Sequence, residues 1–194
     1  MKILFIGNSY TFYNDMPEAL FTPIAEEAGL QVEVTSVTKG GYYLSQFADP
    51  ENAEGQRLRE TVKGQHYDWI VLQDQSCDPV RDEARFLGGV RDLKALLGEQ
   101  TDHFVLYATW GRKTGSPQLA ELNMTSAQMT DGLSAAYNKA GTLYGMAVAE
   151  VGKAFVTYAA AHPDAELYHP DLSHPSALGS AVAAQTILKT ILEE

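Results

Sequence analysis

The chain has 194 residues, 45% of them hydrophobic and 20% charged, which suits one domain over residues 1–194 with a full core and excludes a disordered or fibrous chain. A formal net charge of −11 makes phosphate backbones and anionic bilayers poor partners, so neither nucleic acid nor membrane binding is expected. The single cysteine, Cys77, excludes an intrachain disulfide framework, and no stretch nears the roughly 18 apolar residues of a membrane span.

Lys2 is followed by the short apolar run Ile3–Ile6, which meets Gly7-Asn8-Ser9 at once. That run is too short for the apolar region of a secretory leader, so a cytoplasmic location is the expectation. It suits a strand buried on both faces. Met16 to Gly29 reads as a helix, with Pro17 in the tolerated first turn, Leu20, Ile24 and Ala28 near helical spacing, and Gly29 as the stop. Gln31–Val37 alternates as a second strand, and Asp68–Gln73 is a third, buried one. Arg81 to Leu97 has helical periodicity closed by Gly98. His103–Thr109 follows as a fourth strand, and Met124 to Tyr144 as a helix weakened at Gly132 and Gly141. Met146–Val151 is a fifth strand, leading into a helix through Ala161, and an amphipathic helix from Ser176 to about Leu192 ends the chain. Thr38 to Gly64 and Trp110 to Asn123 read as the long irregular stretches.

Strands alternating with helices imply a three-layer α/β domain with a mostly parallel five-stranded sheet. In such a sheet the ligand site lies beyond the carboxyl ends of the strands, which directs attention to the residues just after each one. Gly7-Asn8-Ser9 places a serine hydroxyl and its own backbone N–H at that edge, a nucleophile and an oxyanion donor in one residue. Taken by itself, the tripeptide is also an ordinary turn and helix cap. Asp171-Leu172-Ser173-His174-Pro175 precedes the last helix. Asp171 and His174, three apart on a tight turn, can meet directly, leaving one imidazole nitrogen to serve a serine as general base. Gly40-Gly41, after the second strand, lets backbone N–H groups approach a ligand closely.

The order of these three blocks resembles the SGNH (GDSL-like) hydrolase superfamily. Its Gly-Asp-Ser block is matched by Gly7-Asn8-Ser9, its second-block glycine by Gly40 or Gly41, and its Asp-x-x-His block by Asp171 and His174. The resemblance spans nearly the whole chain. It implies a flavodoxin-like sandwich and a serine esterase that forms an acyl-serine intermediate and needs no cofactor or metal. Ser9 would attack, His174 would move the proton and Asp171 would orient it. Ser9 and Gly40 or Gly41 would hold the oxyanion. The superfamily's Gly-x-Asn-Asp block is missing, since the third strand ends in Leu72-Gln73-Asp74-Gln75-Ser76. This is similar to a glutamine-bearing branch that includes carbohydrate acetylesterases, and it implies that Gln73 completes the oxyanion hole, with Gln75 the alternative by two-residue alternation. A small-molecule ester is therefore the expected substrate, with a sugar O-acetyl group foremost.

Asn8, Tyr10, Tyr42 and Trp110, with Tyr13 and Tyr43, fall in loops at the same edge and are candidate substrate contacts. Arg112, after Trp110, could bind a substrate carboxylate, though a solvated arginine is the simpler reading, and Cys77 reads as a small apolar filler. Two rival readings remain in the residues. One is a metal site at His169, Asp171 and His174, disfavoured because no helical ligand spacing completes a coordination shell. The other is a carbohydrate- or acyl-binding module that has lost its chemistry. Oligomeric state leaves no mark on the sequence.

Overall fold

The structure, a computed structural model, describes residues 1–193. Five strands, β1 (Lys2–Gly7), β2 (Glu33–Thr38), β3 (Tyr67–Leu72), β4 (Thr101–Ala108) and β5 (Ala147–Glu150), form one sheet in the order β2-β1-β3-β4-β5. Every neighbouring pair is parallel. Between and after them lie α1 (Ser9–Phe12), α2 (Thr22–Glu27), α3 (Leu44–Ala48), α4 (Ala53–Val62), α5 (Asp78–Arg81), α6 (Glu83–Leu97), α7 (Pro117–Leu122), α8 (Ser126–Tyr144), α9 (Val151–Ala161) and α10 (Ala177–Glu193).

Two-residue alternation divides the strand side chains between two cores. Ile3 and Phe5 of β1, Val71 of β3 and Tyr107 of β4 face one side, where they pack on Ala25, Phe155, Val182 and Ile187. Leu4, Ile6, Ile70, Leu72 and Leu106 face the other, against Leu44, Leu58, Tyr137 and the α6 stripe Phe86, Val90, Leu93 and Leu97. The spacing of that stripe puts one face of α6 on the sheet. Each fully buried Leu or Ile contributes roughly 1.5–3 kcal/mol. Three layers follow, helices on both faces of a sheet whose central strands β1 and β3 carry the continuous apolar runs Ile3–Ile6 and Trp69–Leu72. Register keeps the strand ends level, with Gly7 opposite Thr38 and Ile6 opposite Leu72. The chain leaves β1 toward β2 on one side and reaches β3 on the other, so the crevice at the carboxyl ends of β1 and β3 is the switch point of the sheet.

The structure corrects several element boundaries. The expected irregular stretch from Thr38 to Gly64 contains α3 and α4, the latter capped by Asn52, whose side chain accepts from the Glu54 N–H at 3.0 Å. The stretch after Trp110 contains α7. The helix expected from Arg81 begins only at Glu83, because Asp82 leaves helical geometry and caps α6 by accepting from the Arg85 N–H.

The largest change concerns the helix expected over Met16 to Gly29. Asn14 and Asp15 both take left-handed backbone angles (φ 57° and 54°), a π-helical turn occupies Met16–Phe21, and only then does α2 begin. Pro23 lacks the N–H that a continuous α-helix needs at that point. The kink is held from outside, since Asn14 Nδ2 donates to Pro175 O (3.1 Å) and Ser180 Oγ (2.8 Å). Left-handed asparagine and aspartate are the least strained of the non-glycine residues.

Candidate active site

Gly7 ends β1 where no side chain fits, since a Cβ there would lie 2.4 Å from Thr11 Oγ1 and 2.7 Å from Gln73 Oε1. The chain then turns at Asn8, which caps α1 through Oδ1 to the Tyr10 N–H (3.2 Å) and donates from Nδ2 to Tyr42 O (2.9 Å). Ser9 is the first residue of α1, so its N–H is one of the first-turn donors without an intrahelical acceptor. Its side chain opens into a cavity of about 370 Å³ at the carboxyl edge of the sheet.

The turn before α10 brings the other chain end to this point. Asp171 Oδ1 accepts from the N–H groups of Ser173 and His174, both at 2.9 Å. Its Oδ2 lies 2.6 Å from His174 Nδ1, and His174 Nε2 lies 2.8 Å from Ser9 Oγ. A carboxylate only accepts, so the imidazole proton sits on Nδ1 and the Nε2 lone pair faces the serine hydroxyl. Partial burial works to raise the Asp171 carboxyl. The hydrogen bonds from the His174 ring, the His174 N–H and the Ser173 N–H outweigh it and hold the group well below the usual carboxylate range. Tyr13, placed by the left-handed kink, stacks on the imidazole with centroids 4.3 Å apart at 15°, and Tyr10 meets it edge-on at 5.6 Å. A ring face against an imidazole fixes its plane. His169 Nδ1 is 3.3 Å from Asp171 Oδ2, but among the described residues no group of three or more His, Cys, Asp or Glu side chains is arranged to hold a metal ion.

Gly41 lines the cavity with φ +75°, a conformation that glycine adopts without strain, whereas a Cβ at Gly40 would make only ordinary contact with the Phe12 ring at 3.8 Å. Of the two glutamines, Gln75 rather than the expected Gln73 lines the cavity. Gln73 is fully buried behind the serine turn, where its Oε1 accepts from the Asn8 N–H (2.9 Å) and Thr11 Oγ1 (2.9 Å), and its Nε2 donates to Asp74 O. Gln73 does not line the cavity, so its amide is held behind the serine turn rather than presented to a substrate. Gln75 lines the cavity, and its Oε1 accepts from the Cys77 N–H at 2.8 Å, so its amide nitrogen is the end left to donate.

The aromatic candidates separate in the same way. Tyr10 lines the cavity and its hydroxyl is 2.9 Å from Ser173 Oγ. Trp110 is core, stacked between Tyr10 (4.6 Å) and Phe155 (4.2 Å) with Nε1 donating to Ser173 O. Tyr42 turns its ring onto Phe47, and Tyr43 lies under the Arg85 guanidinium at 4.2 Å. Asn8 lines the cavity, but both ends of its amide are already engaged by the Tyr10 N–H and Tyr42 O. Arg112, for which solvent is the simpler of two expectations, lines the cavity together with Ser76 and Gln118. Cys77 is buried and free.

A buried acid supports this arrangement, and sequence reasoning passed it over. Asp74 Oδ1 accepts from the Leu44 N–H and the Gln75 N–H, both at 2.8 Å, tying the segment that follows Gly40-Gly41 to the one bearing Gln75. Burial, and then the neighbouring Asp78 carboxylate, push the Asp74 carboxyl up to about 7. Asp78 is itself held by Arg85 Nε at 3.0 and 3.1 Å. A protonated Asp74 can donate to Asp78, which accounts for an Oδ2 otherwise buried without a partner. The folded chain therefore holds this proton between about pH 4, where an exposed aspartate loses it, and about pH 7. Over that window the native state binds more protons than the unfolded one, so this group makes stability fall as pH rises. Asp74→Asn keeps the acceptor and supplies a permanent donor. Relative to wild type it should gain stability on the order of a few kcal/mol between pH 5 and pH 8 in urea denaturation.

Comparison with family models finds no match, and comparison with curated proteins finds none either. Solved structures do match. A candidate SGNH hydrolase from Slackia heliotrinireducens is 28% identical, with a TM-score of 0.84 over 98% of each chain. A DUF4886 family protein from Bacteroides uniformis is 16% identical with a TM-score of 0.84, over 100% of this chain and 83% of that one. A catalytic mutant of an acetylxylan esterase from Geobacillus stearothermophilus is 15% identical with a TM-score of 0.70, over 98% of this chain and 93% of that one. At the two lower identities the likeness is one of fold.

Proposed function

We propose, from the premise that this chain belongs to the SGNH hydrolase superfamily, that its residues form one catalytic domain that hydrolyses short acyl esters through Ser9. The observation that carries the reading is the unbroken chain from Ser9 Oγ to His174 Nε2 at 2.8 Å and from His174 Nδ1 to Asp171 Oδ2 at 2.6 Å, at a cavity large enough for a small ester. An isolated serine hydroxyl is a weak nucleophile near neutral pH, and this geometry supplies the base it needs.

Ser9 Oγ attacks the ester carbonyl carbon as His174 Nε2 takes the hydroxyl proton, and the imidazolium so formed is stabilised by Asp171. The carbonyl oxygen becomes an oxyanion that accepts from the Ser9 N–H, the Gly41 N–H and the Gln75 amide. The carbon–oxygen bond to the alcohol breaks, and His174 returns the proton to the departing alkoxide. Water then attacks the acyl-serine, giving its proton to His174, and the free acid leaves as Ser9 Oγ recovers the proton.

Among the described residues, those lining the cavity are mostly polar, with serines, glutamines and an arginine, and no Leu, Ile, Val, Phe or Met side chain is among them. This favours an acetyl-sized acyl group on a hydrophilic alcohol such as a sugar hydroxyl over a long aliphatic chain. The test is hydrolysis of p-nitrophenyl acetate and of an acetylated sugar by the purified protein. Turnover should persist in EDTA and fall about 10²–10³-fold in Gln75→Ala, as for loss of one oxyanion donor. Turnover lost to EDTA, or unchanged in the variant, would contradict this assignment.

A further inference from the structure

Arg112 is the one charged residue of the cavity wall that the proposed chemistry leaves unassigned, since Asp171 and His174 are engaged with each other. Its Nη2 donates to Ser76 Oγ at 2.9 Å, its Nη1 donates to Ser173 Oγ, and its Nε is buried without a partner. Both acceptors are neutral hydroxyls. No carboxylate among the described residues pairs with this guanidinium, although the chain has 25 acidic residues against 14 lysines and arginines.

The other arginines show what is unusual here. Arg57, Arg81, Arg85 and Arg91 each meet a carboxylate, and Arg59 rests on the backbone carbonyls of Gly55 and Ala48. A guanidinium has five N–H donors in a planar fork that matches a carboxylate, and charge-assisted bonds are about twice as strong as neutral ones. Arg112 has two donors on hydroxyls, and its positive charge is uncompensated inside a polar cavity next to the reacting serine.

Resting on the esterase reading above, we infer that Arg112 is a specificity-determining residue that binds a carboxylate carried by the ester substrate. The remaining Nη protons receive the anion, while Ser76 and Ser173 hold the fork in place. The natural substrate class is thus a small, hydrophilic ester with a free acid group. The acid stands either on the acyl half, as in a half-ester of a short dicarboxylic acid, or on the alcohol half, as in an acylated hydroxy acid or sugar acid.

Two matched pairs of esters separate these sources. One compares the mono-p-nitrophenyl ester of succinic acid with that of succinamic acid, and the other compares 3-carboxyphenyl acetate with phenyl acetate. In one pair, kcat/KM for the anionic member should exceed that for the neutral member about tenfold or more. That ratio should shrink as salt is added, collapse toward unity in Arg112→Gln and survive in part in Arg112→Lys. Ratios within each protein cancel any general loss of active enzyme, and thermal unfolding of each variant reports its folding. Neutral esters turned over as well as anionic ones in both pairs, or a preference unaltered in Arg112→Gln, would overturn the inference while leaving the esterase reading intact. Turnover of none of the four esters would overturn both.

Discussion

Ser9→Ala should lower kcat/KM for p-nitrophenyl acetate about 10⁴-fold or more, with the thermal unfolding midpoint nearly unchanged. The activity falls because the atom that forms the acyl bond is gone. The fold persists because the one side-chain hydrogen bond of Ser9 Oγ among the described residues is to His174 Nε2 at 2.8 Å, while the cap of α1 rests on Asn8. The residual rate measures what the cavity and the oxyanion donors do without a nucleophile. A loss of tenfold or less would mean that water, activated by His174, attacks the ester directly.

His174→Ala should be as damaging, about 10⁴-fold or more, and the Ser9→Ala, His174→Ala double variant should be no worse than either single one. In the proposed mechanism the two residues act as one device, since the hydroxyl is a nucleophile only while Nε2 can take its proton. Steady-state kinetics of the three variants test this through their non-additivity. The Asp171 carboxyl, held well below the usual range, stays charged and so keeps orienting the imidazole at neutral pH. Losses that multiply in the double variant would show two independent functions rather than a relay.

Much of this was written locally in the chain. The runs Ile3–Ile6 and Trp69–Leu72 are apolar without interruption because both faces of the sheet are covered, and their spacing with intervening helices fixes a parallel order. Gly7-Asn8-Ser9 and the Asp171–His174 turn were legible because each is short, follows a recognisable element boundary and contains residue types that chemistry requires. What the sequence hid depends on partners far along the chain. Gln73 and Gln75 differ by one pleat, and only the approach of Asn8 and Thr11 shows that the first is occupied behind the turn and the second is not. Trp110 looked like a loop aromatic, and only the arrival of Tyr10 and Phe155 on its two faces makes it core. The kink at Asn14-Asp15 depends on Pro175 and Ser180, more than 150 residues away. Arg112 and Asp74 gain their meaning in the same way, from Ser173 in one case and from Leu44 and Asp78 in the other.

The most direct test of the central claim is to treat the purified protein with a serine-reactive organophosphonate ester and locate the adduct by peptide mass spectrometry. The account predicts one phosphonyl group per chain, on Ser9, with loss of esterase activity in step with labelling and little labelling in His174→Ala. An adduct on another residue, or ester turnover that continues with Ser9 fully labelled, would contradict it.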